Sequence, residues 1–133
     1  MRCVTGALAP ILLASAMTAA AAPSPEVGSQ APDFSLSSVS GRMVRLADLQ
    51  GSGPVVLVVL RGFPGYQCPF CNRQVQEFLQ KSSSFAERGA RVIMVYPGPR
   101  QDLGAKAAEF MANKTFPGSF DLLLDPGSEF TNL

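Results

Sequence analysis

The chain has 133 residues, the length of one domain, with 11 basic and 10 acidic side chains. A net charge of +1, mixed along the chain, steers it to neither nucleic acid nor an anionic membrane surface, so no nucleic-acid partner is expected. Histidine is absent, which removes the usual general base and the usual nitrogen ligand of competing chemistries.

The first residues read as a leader rather than as fold. Arg2 gives a short basic start, Ala7 to Ala16 is an apolar run interrupted by Pro10, and Thr18 to Ala22 is a tract of small residues. That is the layout of a secretory signal peptide. The run is too short to cross a bilayer, which needs about 20 residues. Small residues at Ala21 and Ala22 both suit cleavage; Pro23 directly after the cut is disfavoured, so residues 1–21 are expected to be removed. Cys3 lies in the basic start, away from the cleavage site, and leaves with the leader rather than carrying a lipid. Export to a bacterial periplasm or the extracellular side is expected, with no stable membrane insertion after cleavage. Such compartments permit disulfides.

Residues 22–30 form a Pro/Ser/Gly linker ahead of a domain over 31–133. Asp33 to Leu36 reads as a short strand, Ser40-Gly41 as a turn, and Met43 to Arg45 as the returning arm of a hairpin. Leu46 to Gln50 is a helical turn ending at Gly51, and Gly51-Ser52-Gly53 is a plain loop rather than a phosphate cradle. Pro54 to Leu60 is continuous and β-branched, the pattern of a strand buried on both faces. After a loop over 61–67, a helix is expected from about Cys68 to Glu87, with Val75, Phe78, Leu79, Phe85 and Ala86 on one face and Gly89 as its cap. Arg91 to Tyr96 is a second buried strand, broken by Pro97-Gly98-Pro99. A helix follows from about Gln101 to Asn113, with Leu103, Ala107, Phe110 and Met111 inward. Phe120 to Leu124 is a third core strand, Asp125-Pro126-Gly127 a turn, and Ser128 a cap. Strands alternating with helices predict an α/β fold with a parallel core. Right-handed crossovers put the carboxyl ends of its strands on one edge, where ligands bind. Tyr96 and Arg100 are therefore expected near the loop that carries the cysteines.

Cys68-Pro69-Phe70-Cys71 stands where a strand gives way to a helix. Pro69 suits the first helical position, since its missing N–H would be unpartnered there anyway. The free amides and dipole of the helix start stabilise a thiolate, the nucleophile toward disulfides and peroxides. Cys71 lies one turn on, close enough to form a disulfide with Cys68. Zinc would need four ligands, and no other Cys or His follows the leader. Haem attachment needs a histidine after the second cysteine, where Asn72 stands. A purely structural disulfide would close too small a loop to stabilise much. No cofactor or metal is expected. The catalytic candidates are Cys68 and Cys71, with Pro64, Arg61, Arg73 and Arg100 as thiolate-stabilising or substrate-side candidates. Cys68 is expected to be the more exposed and more acidic thiol.

Three stretches together resemble a known family. They are Gly28-x-x-Ala31-Pro32-Asp33-Phe34, Leu46-Ala47-Asp48-Leu49-x-Gly51, and Pro64-Gly65-Tyr66-Gln67-Cys68-Pro69-Phe70-Cys71. They are similar to the alkyl hydroperoxide reductase and thiol-specific antioxidant family, peroxiredoxin-like proteins of the thioredoxin fold. The resemblance implies a central sheet flanked by helices, shortened here before the last strands, the cis-proline segment and the final helix. It also leaves two registers open. Peroxiredoxins carry Pro-x-x-x-Thr-x-x-Cys, so Pro64 and Cys71 fit with Cys68 in the place of Thr, and Cys71 would attack peroxide. In the thioredoxin register Cys68 attacks and Cys71 resolves. The family's catalytic arginine falls in the part not matched. The resemblance implies an antioxidant that reduces peroxides and is recycled by a thioredoxin-like or membrane-linked reductant. The alternatives are a thiol-disulfide oxidoreductase acting on protein disulfides and a non-catalytic remnant with an idle disulfide.

Overall fold

The structure, a computed structural model, describes residues 26–133. The expected leader, its cleavage site and Cys3 lie outside those residues. Within them the elements run β1 (Ser35–Ser38), β2 (Met43–Arg45), α1 (Leu46–Leu49), β3 (Val55–Val59), α2 (Pro69–Gln80), α3 (Ser82–Glu87), β4 (Arg91–Gly98), α4 (Leu103–Met111) and β5 (Phe120–Pro126). They build one mixed sheet in the order β2-β1-β5-β4-β3. β3, β4 and β5 are parallel, and the β1–β2 hairpin joins β5 antiparallel.

The sheet separates two apolar layers because neighbouring strand residues point to opposite faces. Val92, Met94 and Tyr96 of β4 pack with Val75 of α2 and with Leu103, Ala107 and Phe110 of α4. Ile93 faces the other way, toward Phe34, Val44, Leu46 and Leu49 around α1 and the hairpin. Val75, Val92, Met94, Tyr96 and Ala107 are fully shielded from solvent. Burial of a side chain such as valine contributes about 1.5–3 kcal/mol, so this layer anchors α2 firmly beneath the cysteines.

Several sequence expectations need correction. The first strand begins at Ser35, not Asp33; Phe34 is buried ahead of it, and its carbonyl accepts the Leu46 N–H. β3 is an edge strand and is not buried on both faces. Val56 and Val58 meet the helical layer, but Leu57 and Val59 are 37% and 52% exposed. On that face Val55 still packs against the layer around α1, but Leu57 and Val59 lie toward solvent. The long helix divides at Lys81 (ψ 13°), where three consecutive serines, weak helix formers, begin α3. Ala86 is exposed, whereas Phe85 stacks on Phe78. Gly89 follows α3 with φ +61°, the left-handed conformation that ends helices.

The proline stretches also differ from expectation. Pro97 and Gly98 continue β4 instead of breaking it, because Pro97 keeps its carbonyl, which accepts the Phe63 N–H. β5 likewise runs through Pro126. The capping role expected of Ser128 belongs to Asp125. Its buried carboxylate accepts the N–H groups of Phe130 and Thr131 at 3.0 and 2.9 Å.

Candidate functional site

The β3–β4 pairing delivers the loop after β3 to the carboxyl end of the parallel strands. Leu60 extends the ladder through its N–H to the Val95 carbonyl, and Gly62 then turns with φ +69°. A Cβ on Gly62 would lie 1.8 Å from the Pro97 oxygen, so only glycine lets the loop lie this close to β4. This sharp turn precedes the segment that enters α2 at Cys68.

Cys68 is the N-cap residue of α2, with Pro69 in the first turn. Its sulfur accepts the Cys71 main-chain N–H at 3.3 Å, taking the place of the side-chain oxygen found at most caps. Its carbonyl receives both the main-chain and the side-chain N–H of Asn72. The Cys71 sulfur accepts the Arg61 N–H at 3.3 Å. Both cysteines are free thiols. Exposure is 2% for Cys68 and 5% for Cys71, so Cys68 is not the more exposed of the two. The cap geometry that draws Cys68 onto the helix start also draws its sulfur inward.

Acidity separates the two thiols. Burial works against a Cys68 thiolate. Hydrogen bonds from the Cys71 side chain and from the Cys71 and Phe70 amides, with the Arg61 charge, outweigh it and lower the pKa. Burial pushes the Cys71 thiol up, and donation to Cys68 holds its proton more firmly. One sulfur is therefore disposed to be the anion and the other to be its hydrogen-bond donor.

A cleft of about 500 Å³ opens at the pair, lined by Arg61, Phe70, Arg73 and Glu77, with Gln74 beside them. The Arg61 guanidinium lies over the Tyr66 ring, 5.1 Å from its centroid. Pro64 lines a neighbouring hollow with Phe63, Pro97 and Pro99, and Arg61 borders both. Arg100 is not at the thiols. It pairs with Glu129 and lines a separate cleft with Phe34 and Asp125, because the chain turns back toward β5 after Pro99.

Behind the cysteines, Tyr96 is fully buried and its hydroxyl donates to Gln67 Oε1 at 2.8 Å. Gln67 Nε2 donates in turn to the Lys106 carbonyl at 2.9 Å. Burial pushes the Tyr96 pKa up to about 12, against the lowering effect of the Gln67 contact. The residue just before Cys68 is thus fastened to both β4 and α4. Sequence reasoning placed Tyr96 near the thiols but missed Gln67, and it missed the wall formed by Phe70, Gln74 and Glu77. The spacing 70, 73, 74, 77 marks one helical stripe, so the polar face of α2 carried a signal alongside its apolar face. Among the described residues, no group of three or more Cys, Asp or Glu is placed to hold a metal ion.

The sequence profile of the AhpC/TSA family matches residues 27–133. The chain belongs to the AhpC/TSA family. It is 32% identical over 100 residues to Peroxiredoxin Bcp of Bacillus subtilis (strain 168), covering 75% of this chain and 57% of that one. It is 34% identical over 92 residues to the Thiol-disulfide oxidoreductase ResA of Geobacillus thermodenitrificans (strain NG80-2), covering 68% and 49%. The chain spans about half the length of these curated relatives. Among solved structures, Peroxidoxin BcpB from Mycobacterium tuberculosis superposes with a TM-score of 0.58 at 25% identity, over 78% of this chain and 62% of that one. The fold is thioredoxin-like, and the relatives of this AhpC/TSA member are thiol oxidoreductases. Among the described residues, no helix is long and apolar enough to cross a membrane.

Proposed function

We propose that this AhpC/TSA protein is an exported antioxidant oxidoreductase that reduces peroxides through Cys68 and Cys71. The observation that carries the reading is the opposed acidity of two thiols one helical turn apart that line a cleft. The Cys68 thiolate attacks a peroxide oxygen and the O–O bond breaks. The departing oxygen leaves as alcohol or water after taking a proton, and Cys68 becomes a sulfenic acid. Cys71 then gives up its proton and attacks the Cys68 sulfur. Hydroxide leaves as water, and a Cys68–Cys71 disulfide remains. A thioredoxin-like or membrane-linked dithiol returns two electrons and restores the pair.

A second reading, exchange with protein disulfides, draws support from Cys68 itself. It stands where the peroxidase pattern carries a threonine, and its sulfur rather than a hydroxyl caps α2. The similarity to a thiol-disulfide oxidoreductase points the same way.

Peroxide consumption with a regenerating dithiol tests the first reading, and protein-disulfide reduction without peroxide use would favour the second. With Cys68 as nucleophile, Cys68→Ser abolishes peroxide consumption, and Cys71→Ser completes one turnover and keeps a sulfenic acid on Cys68. A sulfenic acid on Cys71 in Cys68→Ser, with none on Cys68 in Cys71→Ser, would reverse the assignment. Export rests on the composition of residues 1–22. Amino-terminal sequencing should find a mature protein beginning at Ala22 or Pro23; an intact Met1 would remove the periplasmic assignment.

A further inference from the structure

The cleft at the thiols holds a cation that thiol activation leaves unused. Arg61 is committed: its charge lowers the Cys68 pKa and its guanidinium lies over Tyr66. Arg73 has no such commitment. Among the described residues it makes no ion pair and no side-chain hydrogen bond, yet it lines the cleft. The helix dipole does not account for it, since cations are favoured at the carboxyl end of a helix and Arg73 stands in the second turn of α2. Beside it, Phe70 is 75% exposed two residues from the capping sulfur. An unpaired guanidinium next to an exposed aromatic ring, both at the mouth of a thiol cleft, matches a ligand with the complementary pair of features.

We propose that the cleft selects substrates carrying a carboxylate beside an apolar group, with Arg73 as the specificity-determining cation and Phe70 as the apolar contact. The inference rests on the reading of Cys68 as nucleophile and adds the substrate class. Arg61 and Arg73 give the cleft two positive charges, against Glu77 and the Cys68 thiolate. The Cys68 charge is common to every substrate. Arg61, Arg73 and Glu77 all bear on an anionic substrate, but of the two cations only Arg73 is free of the thiolate and of Tyr66, so Arg73 and Glu77 can be changed with opposite expected effects.

Two probe disulfides test this without a knowledge of the natural substrate. Dithiobis-nitrobenzoate is aromatic and carries a carboxylate on each half; dithiodipyridine is aromatic and neutral. With either, the Cys68 thiolate attacks one sulfur, the probe S–S bond breaks, and one aromatic thiolate leaves with the electron pair. Cys71 then loses its proton to solvent and attacks Cys68, and the second aromatic thiolate leaves. Two electrons pass from the protein to the probe, and a Cys68–Cys71 disulfide forms.

The quantity read is the ratio of second-order rate constants, anionic over neutral probe, on the full chain at low ionic strength. R73Q should lower the ratio by about three- to fivefold, the effect of one charge a few ångströms away across a water-exposed site. R73K should restore most of it, and E77Q should raise it. Added salt should compress all the differences. A ratio unchanged by R73Q, or both rates falling together, overturns the proposal, because a general loss of thiolate reactivity moves the two probes alike. If neither probe yields the Cys68–Cys71 disulfide in the unmodified protein, the nucleophile reading itself fails and takes the proposal with it.

Discussion

The main-chain N–H of Cys71 points at the Cys68 sulfur over 3.3 Å, and the Cys71 side chain also lowers the Cys68 pKa. In the proposed cycle Cys71 thus supports the Cys68 anion first and attacks the Cys68 sulfenic acid afterwards. Alkylation of Cys68 should reach half its limiting rate below the ordinary thiol value of 9.0. Cys71→Ala removes the side-chain donor but keeps the amide. The Cys68 midpoint should then rise and its rate at neutral pH should fall. A pH–rate profile with a haloacetamide, read on Cys68 by mass mapping, checks this; an unmoved midpoint would show that the side-chain donor is not needed.

Tyr96 fastens Gln67, and its loss should register in two ways. Tyr96→Phe removes one hydrogen bond and should cost about 1 kcal/mol in urea unfolding. The pH dependence is more diagnostic. The folded protein keeps the Tyr96 proton until about pH 12, whereas an unfolded chain releases it near 10.0. Between those values the unfolded state binds fewer protons, so stability falls as pH rises. The fall should be shallower in Tyr96→Phe, and equal slopes would mean that Tyr96 ionises alike in both states.

At Gly62 the thiol-bearing loop lies too close to β4 to admit a side chain. Gly62→Ala places a methyl against the Pro97 oxygen at a φ of +69° that disfavours any side chain. The loop must move, and with it the adjacent Arg61 amide that hydrogen-bonds Cys71. Stability should drop by more than about 2 kcal/mol, and Cys71 should alkylate faster than in the parent. Denaturant unfolding with timed alkylation measures both.

Asp125 ties the last residues to the end of β5. Asp125→Ala leaves the Phe130 and Thr131 amides without their acceptor and should cost about 1–3 kcal/mol. Asp125→Asn keeps one accepting oxygen and should recover part of that. Hydrogen exchange at those two amides should quicken in the alanine variant while β4 stays protected.

What the sequence revealed, and what it withheld, divides along physical lines. The motif at Cys68 fixed its own local structure, since Pro69 suits the first helical turn and Cys68 the cap; both fall there. Periodicity located α4 and the inward faces of Val75 and Phe110. It could not tell that β3 is an edge. Val55 to Leu60 is uniformly apolar, and an apolar run looks the same whether one face or both are covered. Composition could not tell that Arg100 turns away from the thiols, because its direction depends on how the chain leaves Pro99. Gln67 was invisible for a similar reason: its two partners, Tyr96 and the Lys106 carbonyl, lie 29 and 39 residues further along the chain.

The cap on α2 also bears on electron affinity. A hydrogen bond to an anionic sulfur is stronger than one to a neutral sulfur. In the proposed cycle, oxidation to a Cys68–Cys71 disulfide removes the anion, so the helix start would lose its charged acceptor while the reduced pair keeps it. Whatever stabilises the dithiol form raises the reduction potential of the couple. On the proposed chemistry, the geometry that makes Cys68 acidic would therefore also make the disulfide a stronger oxidant than an uncapped pair, and would tie nucleophile strength to the readiness with which the oxidised protein accepts electrons back.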